Sequence, residues 1–247
     1  MGRAHPIYSL FYAGVAALGE RTGYGKRRDE ALAGAHGRLL IVGLGPGHDL
    51  DHLPAGVRDV VAVEPSRSMR DKAVHRVGRS GVPTWLVGAA AEALPLREDS
   101  VDTALVALVF CSIDDPARAC AELLRVLRPG GTLHVLEHVH AAPGSRLQVW
   151  QDRLDPVWSR LSAGCHVTRD TRQILSTAGF DTAALRDITI PVSPALVAPH
   201  LIGQCRAEAP HLSEQELPLG VSSDERVRRG GEDDRGVRDE HPEADPR

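Results

Sequence analysis

The sequence is short of several features that would assign it to a common class of protein. Its 247 residues include only three Phe, three Trp and three Tyr, so Ala, Val and Leu must fill most of the core. Its four cysteines form no CxxC pair and follow no secretory signal, which predicts reduced thiols in a cytoplasmic protein and gives no spacing typical of a zinc ligand set. The apolar run IYSLFYAGVAAL is shorter than the ~20 residues that span a bilayer, so we expect no transmembrane segment.

The sequence also lacks a strongly basic region. Its formal net charge is −4, and residues 211–247 alone carry eleven acidic residues and six arginines, which leaves the rest of the chain close to neutral. No dense basic face is available for a nucleic-acid backbone, so we expect a small-molecule partner instead. From about residue 209 onward the chain has no aromatic residue and no periodicity, which predicts a disordered acidic tail over residues 209–247.

Residues 1–35 form a candidate N-terminal helical segment. Apolar residues recur there at helical spacing, at Ile7, Leu10, Phe11, Val15 and Leu18. This segment is expected to pack on the core or to form a lid over a site, with peripheral membrane contact as the minor alternative. The basic run at residues 26–28 that follows is interpreted as a solvated helix face.

The middle of the chain alternates between strands and helices. Strands are predicted in GRLLIVGLG, DVVAVEPS, VPTWLVGA, VDTALVALVFCS and TLHVLEHV, and helices in SMRDKAVHRVG and in ARACAELLRVLR after Pro116. FDTAALRDITI and HLIGQCRA are expected to pair antiparallel at the sheet edge, after a helical region over residues 147–177 that is interrupted near 155–156 and 162–164. Residues 36–208 are therefore predicted to form one α/β domain, a doubly wound, mainly parallel seven-stranded sheet with an antiparallel edge strand.

A glycine-rich turn follows the first of these strands. In a doubly wound sheet such a turn lets a ligand approach the backbone beyond the carboxyl ends of the strands. The turn reads Gly43-Leu44-Gly45-Pro46-Gly47, and His48 stands where the dinucleotide pattern G-x-G-x-x-G requires its third glycine. Glu64 lies 19 residues after Gly45, where an acid can accept hydrogen bonds from ribose hydroxyls. A nicotinamide-dependent oxidoreductase fits Glu64 but not His48, so another adenosine cofactor is favoured.

A family resemblance distinguishes between these cofactors. Through VGLGPG, VVAVEPS, AEALPLREDSVD, LRVLRPGG and TLHVLEHV, residues 36–140 resemble the class I S-adenosylmethionine-dependent methyltransferases. Further on, WQDRLDPVWSRLSAGCHVTRDT and APHLIGQC are similar to the narrower methyltransferase-like seven group, which includes thiol S-methyltransferases of the endoplasmic reticulum. The resemblance implies S-adenosylmethionine as cofactor and a small, hydrophobic methyl acceptor, with a thiol as the candidate.

The resemblance also implies roles for individual residues. The three glycines of the turn would line the methionine and ribose end of the cofactor, Glu64 would take the ribose hydroxyls, and the Ala91-Glu92 loop would border the adenine. The implied cofactor-binding set is Gly43, Leu44, Gly45, Gly47, Asp49, Glu64, Pro65, Ala91, Glu92 and Val109.

Two positions depart from the family pattern. Ile41 stands where an acid usually precedes the glycine turn, and the run Ala89-Ala90-Ala91 replaces an acid often found in the adenine loop. Each departure removes a potential hydrogen bond, worth ~0.5–1.5 kcal/mol. Asp49 and Asp51 are the local substitutes for the missing acid, with the alternative that Asp49 caps the helix after the turn. The alternative function is therefore a catalytically weak or inactive methyltransferase fold that serves as a binding or interaction protein.

Methyl transfer needs few catalytic groups, because the protein mainly places a nucleophile near the methyl in a dry cleft. The candidates at strand ends are Glu137 and His138, with His138 either a general base or a packed histidine. Cys111 is more simply a small buried hydrophobe, and Ser112 follows it. A metal site from His134, His138 and His140 would lack a fourth ligand, so no metal is predicted. Trp150, Trp158, Cys165 and His166 are candidate lid residues.

Overall fold

The computed structural model describes residues 19–191 and 193–207. The predicted lid residues before position 19 and the predicted acidic tail lie outside the described residues.

One mixed sheet forms the centre of the domain. Its strand order is β3-β2-β1-β4-β5-β8-β6, and β7 also pairs with β8. The strands are β1 (Gly37–Val42), β2 (Val57–Val63), β3 (Thr84–Val87), β4 (Val101–Ala107), β5 (Leu127–His138), β6 (Phe180–Asp181), β7 (Arg186–Thr189) and β8 (Pro199–Ala207). Strands β1 to β5 pair in parallel, which confirms the predicted doubly wound α/β class.

The sheet edge differs in detail from the prediction. The segment FDTAALRDITI splits into two short strands, β6 and β7, and both pair antiparallel with β8. The sheet therefore has eight strands instead of seven. The antiparallel strand β8 lies between β5 and these two edge strands.

The described residues form five α-helices, of which one precedes the first strand and four lie between strands. They are α1 (Gly25–Leu32), α2 (Arg67–Val77), α3 (Pro116–Val126), α4 (Arg146–Leu161) and α5 (Thr171–Thr177). The prediction for Pro116 is confirmed, because it occupies the first turn of α3 while Asp115 accepts a hydrogen bond from the backbone N–H of Arg118. Within the described ranges, no helix combines the length and the apolar character needed to cross a membrane.

Helix α4 continues where an interruption was expected. Pro156 lies inside it, and the helix ends only before Ser162, so the prediction was wrong at 155–156 and right at 162–164. A proline removes one hydrogen bond to the carbonyl four residues earlier, but Pro156 is exposed, and water can satisfy that carbonyl.

Two apolar clusters cover the two faces of the sheet. Because side chains alternate along a strand, Leu40 and Val42 join one cluster, whereas Leu39 and Ile41 join the other. Burial on both faces explains why the parallel strands are apolar almost throughout. The site must then lie at an edge of the sheet, beyond the carboxyl ends of the strands.

Candidate active site

The glycine turn lies at the carboxyl end of β1. Gly43, Gly45 and Gly47 have φ of 67°, 55° and 91°, in the left-handed region that favours glycine. A Cβ on Gly43 would come within 2.3 Å of Cγ2 of Val109, so no larger residue fits there. A Cβ on Gly45 would meet nothing closer than the carbonyl oxygen of Gly43 at 4.0 Å. The space beside Gly45 is therefore open to a ligand.

Glu64 is fastened to this turn. Its carboxylate accepts a hydrogen bond from the backbone N–H of Gly45 at 2.9 Å and another from that of Ser66 at 2.8 Å. Burial raises the pKa of Glu64, and these two backbone donors oppose the increase. Each carboxylate oxygen has a second lone pair, so the side chain can still accept ribose hydroxyls as the resemblance implies.

A buried ion network forms one wall of the pocket beside the turn. Arg28 and Asp49 line the pocket and form an ion pair, and Nε of Arg28 donates to Glu20 at 2.7 Å. The basic run at residues 26–28 is therefore not a uniformly solvated face, because two carboxylates draw Arg28 into the interior. Asp49 is not the helix cap either, since Gly47 holds that position without a side-chain hydrogen bond.

The loop expected to border the adenine is anchored to α3. Ala91 is buried, and Glu92 accepts a hydrogen bond from the backbone N–H of Asp115 at 3.3 Å. Two residues further on, the N–H of Leu94 donates to Glu122 at 2.7 Å. Pro65, on the neighbouring loop, is exposed. These contacts fix the loop in place, and its contact with adenine stays a prediction.

Leu108, at the end of β4, has a conformation that the sequence does not reveal. Its φ of 59° is uncommon for a residue with a branched side chain and costs about 1–3 kcal/mol. The backbone N–H of Leu108 donates to the carbonyl of Leu136 at 2.8 Å, and Leu108 lines the same pocket as the glycine turn. The backbone strain at Leu108 therefore lies where the chain leaves β4 and enters the wall of the pocket.

Glu137 holds the turn that follows. It is fully buried, and its carboxylate accepts hydrogen bonds from the backbone N–H groups of Val109 at 2.9 Å and Phe110 at 3.1 Å. Burial raises the pKa of Glu137 to about 7 against the opposing effect of these two donors. Glu137 therefore fixes the turn after β4, and the catalytic role expected from the sequence stays a prediction.

His138 and two cysteines form a sulfur–imidazole cluster at the carboxyl end of β5. The ligand-type atoms of Cys111, His138 and Cys165 all lie within 4.8 Å of one another. Nε2 of His138 is 3.2 Å from Sγ of Cys165, and Nε1 of Trp158 donates to the same sulfur at 3.5 Å. Cys111 is buried as predicted, whereas its proximity to Cys165 was not predicted from the sequence.

The cluster favours negative charge on one sulfur. The Cys111 thiol donates to Cys165, and this bond, opposed by burial and aided by His138 and Trp158, lowers the pKa of Cys165 to about 4. The same bond and burial raise the pKa of Cys111. Burial alone would lower the pKa of His138, but the contact with Cys165 outweighs it and raises that pKa.

Most of the other predicted residues lie apart from this cluster. His134 is bound through Nδ1 to the carbonyl of Ala31 at 2.6 Å, and His140 lies 3.0 Å from Asp152, so the histidine set considered for a metal does not converge. Of the lid candidates, Trp158 and Cys165 meet in the cluster, whereas Trp150 is 56% exposed and His166 contacts Asp155. Ser112 is exposed.

Comparison with known proteins gives the class to which this architecture belongs. The family model described as Methyltransferase domain matches residues 40–135. A solved S-adenosylmethionine-dependent methyltransferase from Thermotoga maritima has a TM-score of 0.57 at 23% identity, covering 81% of this chain and 99% of its own. The cyclase SpnF has a TM-score of 0.57 at 20% identity, covering 73% and 78%. The fold is that of the Rossmann-like methyltransferases.

Closer relatives identify the group. Human thiol S-methyltransferase TMT1A is 33% identical over 179 residues, 70% of this chain and 73% of TMT1A. Human thiol S-methyltransferase TMT1B is 31% identical over 180 residues, 71% and 73% of the two chains. The chain therefore belongs to the class I S-adenosylmethionine-dependent methyltransferases, in the group that contains TMT1A and TMT1B, and the resemblance found in the sequence is confirmed.

Proposed function

We propose that this methyltransferase transfers a methyl group from S-adenosylmethionine to the sulfur of a small, hydrophobic thiol. The observation that carries the proposal is the 33% identity to thiol S-methyltransferase TMT1A, which extends over 70% of the chain and well beyond the 96 residues of the domain match. S-adenosylmethionine, when bound, supplies a methyl group on a positively charged sulfonium. The described residues offer groups that suit both the cofactor and a sulfur nucleophile.

The pocket beside the glycine turn suits the cofactor. The open space at Gly45 admits a ligand close to the backbone, and Glu64 offers acceptors to two ribose hydroxyls. The guanidinium of Arg28 on the pocket wall suits the methionyl carboxylate, because arginine and carboxylate make strong charge-assisted hydrogen bonds. The Ala91-Glu92 loop would cover the adenine.

The sulfur–imidazole cluster suits the acceptor. Sγ of Cys111 lies 4.0 Å from the carbonyl oxygen of Leu108, which lines the cofactor pocket, so the cluster adjoins the place where the methyl group would point. The thiolate is the nucleophilic form of a thiol, and this corner stabilises negative charge on sulfur through His138 and Trp158. An acceptor held here would react beside packed side chains that exclude water from the site.

The test is a transfer assay with S-adenosylmethionine carrying a labelled methyl group. Acceptors of matched size with a thiol, an amine or a phenol group are compared, and product is identified by mass. We expect a methyl thioether from the thiol and no product from the other two. Binding of S-adenosylhomocysteine without transfer to any acceptor would instead favour the inactive binding protein.

Glu64→Gln tests the cofactor site, with Glu98→Gln as its matched control. The substitution keeps the shape of the side chain but removes the charge that strengthens its hydrogen bonds, each worth about 1.5–3 kcal/mol. We expect S-adenosylhomocysteine to bind at least ~10-fold more weakly by isothermal titration, whereas Glu98→Gln on an exposed turn leaves binding unchanged. Equal affinities for both variants would contradict the role proposed for Glu64.

A further inference from the structure

We propose that Cys111, His138 and Cys165 bind one thiophilic divalent cation of the zinc type, with a fourth coordination position left for the acceptor thiol. The three ligand atoms lie within 4.8 Å of one another, and they come from three separate parts of the chain. The site is distinct from the histidine set that was considered and rejected on the sequence, with which it shares only His138.

The donor set is the first argument. Thiolate and imidazole ligands select zinc-type cations over magnesium or calcium, which prefer oxygen. In a tetrahedral zinc site, bonds of about 2.3 Å to sulfur and 2.0 Å to nitrogen place those two atoms about 3.5 Å apart. Nε2 of His138 and Sγ of Cys165 are 3.2 Å apart, so a small adjustment would admit the cation. Three protein ligands and one open position are typical of catalytic zinc, whereas structural zinc has four.

The rigid support of the ligands is the second argument. The turn that carries Cys111 is held by Glu137, as described above. The segment that carries Cys165 is tied to that turn, because the backbone N–H of His166 donates to the carbonyl of Cys111 at 2.9 Å. Asp155 clamps the same segment from α4 by accepting hydrogen bonds from His166 and from the N–H of Val167 at 2.7 Å. Such outer contacts are what orient metal ligands in proteins.

The charge balance of the cluster is the third argument. A divalent ion that displaced the proton of the Cys111 thiol would neutralise the two thiolates, which would otherwise repel each other in a buried position. Nδ1 of His138 is buried and has no hydrogen-bond partner in the described part of the chain. The Nε2 edge, which faces the sulfurs, therefore makes the polar contact of this ring.

The use of the fourth position rests on the proposed function. A thiol that binds the cation loses its proton to solvent and becomes a thiolate, and its sulfur then forms a bond to the methyl carbon as the sulfonium–methyl bond breaks. The thioether product carries no charge and is a weaker ligand, so it can leave. In this scheme His138 is a ligand, and the cation takes the place of the general base that was one of the two roles considered for His138.

Cobalt serves as the probe for the site. The purified full chain is stripped with a chelator and titrated with Co²⁺ under reducing, oxygen-free conditions, and absorption is recorded. We expect a thiolate-to-cobalt charge-transfer band that saturates at one equivalent and disappears when Zn²⁺ is added. Cys111→Ala, Cys165→Ala and His138→Gln should each weaken binding by roughly 100-fold or more, whereas Cys205→Ala, which removes another buried thiol, should bind as the original chain does.

A second measurement covers variants that fail to fold. In the unaltered chain, Zn²⁺ should protect Cys111 and Cys165 from alkylation, as mapped by mass spectrometry, and should leave the reactivity of Cys205 unchanged. The absence of the band, or its persistence in Cys165→Ala, would overturn the proposal.

Cation binding and methyl transfer, measured on the same protein preparation, distinguish a failure of this proposal from a failure of the proposed function. A bound cation without transfer to any thiol would leave the site standing and contradict the thiol methyltransferase activity. Full transfer by the metal-free chain would leave that activity standing and overturn the catalytic use of the cation. Perturbation of the cobalt band by the accepted thiol, but not by an alcohol of the same size, would support both.

Discussion

At the scale of one residue, the surroundings of Ile41 show what the departure from the family pattern does to the fold. Its side chain is fully buried in the apolar cluster that also contains Leu39 and Leu105. An acid introduced there would lose its hydration, which costs about 2–7 kcal/mol for a polar group without a hydrogen-bond partner. We therefore expect Ile41→Glu to lower the free energy of unfolding by several kcal/mol, measured by urea denaturation, and not to strengthen cofactor binding.

Ile41→Val is the control for this prediction, because it removes one methylene without adding a polar group and should cost only about 0.5–1.5 kcal/mol. A stable Ile41→Glu variant with tighter binding of S-adenosylhomocysteine would contradict the argument. It would show that the acid finds a partner in the pocket and that the missing acid limits the natural chain.

Some residues of the site could be predicted from the sequence and others could not. Gly43 follows from the pattern because a tight turn after a buried strand demands glycine, and Glu64 follows from its spacing, since it lies 19 residues after Gly45 and accepts a hydrogen bond from it. Arg28 could not be predicted, because its burial depends on two carboxylates at sequence distances of 8 and 21 residues. A run of three basic residues looks the same whether or not such partners exist.

The side chain of Glu137 holds the turn after β4 in place through hydrogen bonds to its backbone. The turn after β4 contains Val109, which contacts Gly43, and Cys111, which belongs to the sulfur–imidazole cluster. We expect Glu137→Ala to leave the amides of Val109 and Phe110 buried without acceptors, at about 1–3 kcal/mol for each. Hydrogen exchange measured by mass spectrometry should accelerate over residues 108–112.

Glu122→Ala is the matched comparison, because Glu122 also accepts a backbone hydrogen bond, from Leu94 in the adenine loop. Its exchange should accelerate near residue 94 and stay unchanged at residues 108–112. Unchanged exchange over residues 108–112 in Glu137→Ala would mean that the turn does not depend on Glu137.

At the scale of secondary-structure elements, helix α4 explains why the sulfur–imidazole cluster could not be predicted. A proline usually ends or bends a helix, so the sequence favoured two short helices around Pro156. The continuous helix of 16 residues spans about 24 Å, and the chain after it brings Cys165 back to the end of β5. Without that length, Cys165 has no predictable place relative to His138.

At the scale of the whole molecule, parallel topology assembles the site. Cys111, His138 and Cys165 are separated by 27 residues each, a spacing that matches no local metal motif. They meet because β4 and β5 are neighbours whose carboxyl ends lie at the same edge of the sheet. The fold class could be predicted because apolar runs and glycines repeat along the chain, whereas this convergence depends on loops whose paths carry no periodic signal.

Ion pairs join the segment before α1 to the pocket beside the glycine turn. Glu20 pairs with Arg28 at 2.7 Å, and Arg28 pairs with Asp49 at the pocket wall. Burial would raise the pKa of Glu20, but the close contact with His52 at 3.6 Å, together with the hydrogen bond from Arg28 and its charge, outweighs burial and lowers the pKa from 4.5 to about 2. The ionised form of Glu20 therefore stabilises the folded state.

This lowered pKa predicts how acid weakens the fold. The stabilisation by Glu20 is fully present above its unfolded pKa near 4.5 and is lost as the pH falls through the folded value near 2. A difference of this size corresponds to about 3 kcal/mol. We expect the free energies of unfolding of the original chain and of Glu20→Gln, measured by urea denaturation, to differ by about that much at pH 7 and to converge between pH 4.5 and pH 2. A difference that stays constant over this interval would show that the pair of Glu20 and Arg28 contributes no charge-dependent stability.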